Sequence, residues 1–92
     1  MTIDLTYVAQ LKAATGTGRE TLDVPAGTTV RGLIDLLVQR HGDDLASLLL
    51  DDGGNVRPSI LVFRGETQSD GADTTPLTDG EALTLLTPLA GG

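Results

Sequence analysis

Residues 28–42 read TTVRGLIDLLVQRHG, and this stretch decides the fold. Val30, Leu33, Ile34, Leu37 and Val38 recur at the spacing of one helix face. Thr28 or Thr29 can cap the first turn with a side-chain oxygen. Gly42 follows as a C′ residue, with Arg40 and His41 in the last turn, where positive charge suits the helix dipole. Gly32 inside the helix costs about 1 kcal/mol of propensity relative to alanine. Close approach of the helix to a sheet is the expected reason for it. A single amphipathic helix has one stripe to bury, and one sheet face fits it.

The flanking sequence supplies that sheet. Ile3, Leu5, Tyr7, Ala9 and Leu11 alternate with Thr2, Asp4 and Thr6, which predicts a half-buried strand over residues 2–11, interrupted mildly at Val8. ATGTG at 14–18 is a turn, and alternation resumes over Thr21 to Val24 with Leu22 and Val24 inward, so the two strands form a hairpin. Pro25-Ala26-Gly27 ends it. Past the helix, Asp43 and Asp44 are expected to cap a short helical turn over Leu45 to Leu50, before a turn-rich loop from Asp51 to Asn55. Ser59 to Phe63, SILVF, reads as a strand buried on both faces. Glu66 to Thr75 reads as a mobile polar loop holding at most a short edge strand. Thr78-Asp79-Gly80-Glu81 is a tight turn, and Ala82 to Thr87 is the final strand. The order predicts an α+β domain over residues 1–87, a mixed four- or five-stranded sheet packed on one main helix, with a flexible tail over 88–92. In the simplest such sheet the first and last strands lie side by side in the middle, the β-grasp arrangement of ubiquitin.

Composition narrows the function. The chain of 92 residues has no cysteine, which removes disulfides, thiolate metal sites and a cysteine nucleophile. Thirteen acidic against six basic residues leave a formal charge of -7, which argues against nucleic-acid binding and suits a partner protein with a basic patch. No apolar run reaches the length of a membrane span, and MTIDLTYVAQ lacks the blocks of a signal peptide, so a cytoplasmic location away from membranes is expected.

Conventional catalytic groups are scarce. His41 stands alone at a helix end, without the second ligand or base that metal binding or catalysis requires, and a surface or dipole-facing role is expected. Asp43-Asp44 and Asp51-Asp52 lack the spacing of a calcium loop. Gly16 and Gly18 fall between hairpin strands, not before a helix, so they are no phosphate cradle. One candidate reactive group is left, the carboxylate of Gly92, approached through Gly91 without a Cβ on either residue. A carboxylate resists nucleophiles until its oxygen becomes a leaving group. Adenylation by ATP does this, in a partner's site, because this chain has no nucleotide-binding loop. A passive, floppy end is the competing reading of the two glycines.

Residues 76–92, PLTDGEALTLLTPLAGG, resemble the C-terminal signature of the MoaD/ThiS sulfur-carrier family: an Asp-Gly turn, a hydrophobic strand, a proline and a terminal Gly-Gly. The start, TYVAQLKAATG, is similar to the first strand and turn of that family's molybdopterin synthase small subunits, and the helix matches in placement and length. The resemblance implies a sulfur carrier that is a cosubstrate, not an enzyme, and that binds no cofactor or metal. A ubiquitin-activating-type adenylating enzyme would use ATP to convert Gly92 to an acyl-adenylate. A sulfur donor would displace AMP to leave a thiocarboxylate, and a sulfur-accepting synthase subunit would take the sulfur, with molybdenum cofactor biosynthesis the favoured pathway. Gly91 and Gly92 would thread the partner's channel, and Ala90, Leu89 and Pro88 would direct the tail. Leu86 and Phe63 are the expected apolar docking surface, with ordinary core as the competing reading. Asp79 and Glu81 are expected to steer the encounter. Two alternatives stay open: a protein modifier joined through Gly92 to target lysines, and a passive β-grasp interaction module. Lys12 is the only lysine, which disfavours polymeric chains.

Overall fold

Strand β1 (Thr2–Val8) buries Ile3, Leu5 and Tyr7 and turns Thr2, Asp4, Thr6 and Val8 to the other face. This is the period-two pattern that its sequence announces. The structure is a computed structural model that describes residues 1–87, and the expected tail, Pro88 to Gly92, lies outside the described residues. After β1 come α1 (Gln10–Thr15), β2 (Arg19–Asp23), α2 (Val30–His41), α3 (Asp43–Leu49), β3 (Leu61–Arg64), β4 (Thr67–Ser69) and β5 (Ala82–Leu86).

The strands form one five-stranded sheet in the order β2-β1-β5-β3-β4. β1 and β5 run parallel in the middle, from Asp4 beside Ala82 to Val8 beside Leu86. The other pairs are antiparallel. Helix α2 covers one face. Its Val30, Leu33, Ile34 and Leu37 meet Ile3, Leu5, Val62, Leu83 and Leu85, with Leu45 and Leu49 of α3 closing the same core. Each such side chain contributes roughly 1.5–3 kcal/mol by leaving water. This is the β-grasp arrangement expected from the strand order.

Several local features differ from expectation. The first strand stops at Val8, not Leu11, because Ala9 takes φ 58°, a left-handed conformation that ends the pleat. Gln10 to Thr15, rich in good helix formers, then makes α1, which Gly16 closes at φ 77°. Leu11 is buried as expected, but from a helix. Thr29 caps α2, its Oγ1 accepting from the Gly32 amide at 3.3 Å. A Cβ on Gly32 would meet Thr28 Cγ2 at 3.3 Å, so the crowding there comes from the cap and not from the sheet. Asp43 and Asp44 do not cap α3. Gly42 holds that position, and the two carboxylates lie in the first turn, where negative charge suits the dipole. The SILVF strand is buried on one face only. Ile60 and Val62 enter the core, while Leu61 and Phe63 stay half-covered on the outer face, over which the described residues lay no second layer. The stretch from Glu66 to Thr75 contains edge strand β4 and is tied to Arg64, which donates to Asp73 and to the Thr75 carbonyl.

Candidate functional site

The alternation that sends Leu83 and Leu85 into the core sends Leu86 outward at the end of β5. Across the sheet Leu86 stands between Val8 of β1 and Leu61 of β3. One row back, Thr84 stands between Thr6 and Phe63. Leu86, Phe63 and Leu61 are half-buried, and Val8 is 37% exposed, the one large apolar side chain that is exposed among the described residues. The outer face therefore carries an apolar strip, and it lies at the end of the sheet where β5 runs out through Thr87 towards the tail.

Leu86 and Phe63, expected to act together, do share this face on adjacent rows. Val8 and Leu61 belong with them and were not anticipated. Parity was the available signal: Val8 shares the outward register of Thr2, Asp4 and Thr6, and Leu61 alternates with Val62. Pro88, Leu89, Ala90, Gly91 and Gly92 lie outside the described residues, so the structure fixes only where that segment begins.

Charge is distributed unevenly around the strip. Asp79 and Glu81 do not stand near it. They precede β5, at the far end of the sheet, where Asp79 accepts from the Thr2 amide at 2.7 Å and Glu81 binds Arg64 in a bidentate pair at 2.6 and 2.9 Å. Arg64 also donates to the Thr75 and Pro76 carbonyls and to Asp73, anchoring the segment that leads into β5. These bonds raise the Arg64 pKa and hold Glu81 below the usual glutamate range, the Arg64 hydrogen bond outweighing burial. The Asp73 carboxyl lies at about 2, chiefly through the Ser69 hydroxyl and then the Thr75 amide. Arg19, at the start of β2, stands beside Thr6 of β1, and neither it nor Lys12 of α1 is in an ion pair among the described residues.

His41 is not a surface group, although it does stand in the last turn of α2, where the dipole-facing role expected of it is met. Its side chain is 13% exposed, and Nε2 meets the Glu20 carboxylate at 3.0 Å. Tyr7 donates its hydroxyl to the same carboxylate at 3.0 Å, and Arg40 stands 3.4 Å away. Burial pushes the Glu20 pKa up, but the bonds from His41 and Tyr7 and the nearby positive charge outweigh it, and the net shift is downward. Tyr7 is raised well above the ordinary phenol value, by burial first and then by Glu20. This cluster ties the end of α2 to β1 and β2. No group of three metal-ligating side chains occurs among the described residues, and no helix there is long and apolar enough to cross a membrane.

A β-grasp sheet of this strand order defines a ubiquitin-like protein, here with an open apolar strip beside its last strand. The chain belongs to the ThiS family, whose model matches residues 5–92. It is 30% identical over 91 residues to a molybdopterin synthase sulfur carrier subunit from Drosophila erecta, covering 98% of this chain and 90% of that one. Among solved structures it resembles small archaeal modifier protein 1 (SAMP1) from Haloferax volcanii, with TM-score 0.88, 26% identity and full coverage of both chains. It also resembles Urm1 from Trypanosoma brucei, with TM-score 0.77, 26% identity, and 99% and 95% of the two chains covered. The chain is thus a small ubiquitin-like member of the MoaD/ThiS sulfur-carrier family, a family of small carrier subunits and not of catalysts.

Proposed function

We propose that the Gly92 carboxylate is this chain's reacting group and that it carries sulfur as a thiocarboxylate. A partner of the ubiquitin-activating type joins the carboxylate oxygen to the α-phosphorus of ATP and releases pyrophosphate. A donor at the oxidation level of sulfide then attacks the acyl carbon. A C–S bond forms, the C–O bond to AMP breaks, and AMP leaves with the electron pair. The barriers are lowered in the partner, and the carrier contributes binding and delivery. The observation that carries this reading is the strip of Val8, Leu86 and Leu61 beside the point where β5 leads into the tail. A partner seated on that strip receives the tail with little remaining search, because docking has already paid the translational cost.

The acceptor is a synthase subunit of the molybdopterin type, a reading supported by the likeness to the Drosophila erecta carrier subunit. Attachment of Gly92 to a lysine is the second reading, favoured by the likeness to small archaeal modifier protein 1. Chains of this protein on itself are disfavoured. The Met1 ammonium is engaged, donating to the Val24 carbonyl at 2.8 Å, and Lys12 is the one lysine. ATP–pyrophosphate exchange by the adenylating enzyme of the same genome tests activation: exchange should require the intact chain and vanish when Gly92 is removed. Undiminished exchange without Gly92 would overturn the proposal.

A further inference from the structure

We infer that the order of charges on the outer sheet face lets the activating partner seat the chain in one direction only. The partner surface that fits is apolar against Val8 and Leu86, carries a carboxylate opposite Arg19, and carries a cation opposite Asp4. The sheet register sets these groups in rows. Val8, Leu86 and Leu61 form the row nearest the tail. Two residues back along the strands, Arg19, Thr6, Thr84 and Phe63 form the next row. Two further back stand Thr21, Asp4 and Ala82, and then Asp23 beside Thr2. Same-face rows lie about 7 Å apart, twice the rise per residue of a strand. The charged strand residues that alternate onto this face are therefore Arg19, Asp4 and Asp23, all exposed, with the cation between the apolar row and the acidic ones. Arg19 and Asp4 are diagonal neighbours on β2 and β1, and with Thr21 they line an open depression of about 270 Å³ that has room for a partner side chain. The Thr21 hydroxyl donates to Asp4 Oδ1 at 3.1 Å and holds that carboxylate in place. Charges at such an interface set orientation and encounter rate more than raw affinity. A chain turned end for end would bring Arg19 against the partner's cation and point its tail away from ATP.

This inference rests on the reading of Gly92 as the activated group. The test is steady-state activation by the adenylating enzyme of the same genome, with the full-length chain as the varied substrate and thermal melting alongside. Arg19→Glu and Asp4→Arg move the net charge in opposite directions, and together they leave it at the wild-type -7. Each single variant should raise KM about three- to tenfold at low salt, and the double variant should raise it at least as far. Arg19→Gln, which removes the charge alone, should give a smaller rise, and added salt should narrow all the differences. Melting temperatures should stay near that of the wild type, because both side chains are exposed. A double variant with wild-type KM would show that net charge alone steers the encounter, and would overturn the inference. So would an Arg19→Glu chain whose KM is unchanged or lowered. A rise in KM matched by a lower melting temperature would place the loss in the fold and overturn it too. Wild-type chain that the enzyme does not activate at all would instead sink the reading of Gly92.

Discussion

Leu86 lies directly opposite Val8 across the parallel pair at the centre of the sheet, both on the uncovered face. Val8 ends β1 and Leu86 ends β5, so the apolar contact marks the edge from which the chain continues towards its glycines. Leu61 extends the row and Phe63 backs it. A partner that covers this row removes apolar surface from water at the one place from which the tail can be handed over.

Val8→Asp should weaken docking while the domain stays folded. Val8 is 37% exposed, so the charge costs about 1 kcal/mol or less of stability. On binding, that carboxylate would be buried against an apolar partner. KM for the activating enzyme should rise tenfold or more, with the far-ultraviolet dichroism unchanged. An unaltered KM would remove the strip from the interface.

Arg64 is the fastening of the segment that feeds β5. Replacing it with methionine leaves Glu81 partly buried without its pair and frees two backbone carbonyls. The loss should be about 2–4 kcal/mol in denaturant unfolding, because breaking a covered ion pair strands the remaining charge. A change below 1 kcal/mol would show that the network is ornamental.

Acid should destabilise the chain through its paired carboxylates. Glu20 and Glu81 titrate below the usual glutamate value when folded. Below roughly pH 4.3 the unfolded chain therefore binds more protons than the folded one, and stability rises with pH. The contribution is complete above that pH and is lost as pH falls through the folded values, with Asp73 extending the window down to about 2. Glu81→Gln should flatten the dependence of unfolding free energy on pH in this window. An unchanged slope would contradict the linkage.

Deletion of Gly92 should abolish activation and leave the melting temperature where it is, because the core lies elsewhere. Leu37→Ala, at a fully buried position of α2, should cost about 2–5 kcal/mol through the cavity it leaves. Unfolding on deletion of Gly92 would make the tail structural.

Much of this architecture is legible in the chain because α2 and β5 are patterned strongly and close to their breakers. Residues 9–15 were not, since Leu11 stands four residues after Tyr7 and fits the inward set of a strand or a helix equally well. The left-handed backbone of Ala9 has no marker in its side chain. SILVF looks buried on both faces because all but one of its residues are apolar, and whether a second layer covers Leu61 and Phe63 depends on the whole topology. The same holds for Val8, which looks like a lapse in alternation until β5 brings Leu86 beside it. His41 and Glu20 are 21 residues apart, and nothing local in either announces the other. Leu86 and Phe63 are marked by the family resemblance alone, and their placement on one face is the part that the fold adds.

The most direct test of the account is the mass of the chain after reaction. Purified protein is incubated with its adenylating enzyme, ATP and a sulfide-level donor, then analysed intact and after proteolysis. The account predicts exchange of one oxygen for sulfur, confined to the C-terminal peptide at Gly92 and absent without ATP. An unmodified carboxylate, with an enzyme shown to be active and to bind this chain, would contradict it. An isopeptide adduct in place of the thiocarboxylate would assign the chain to protein modification.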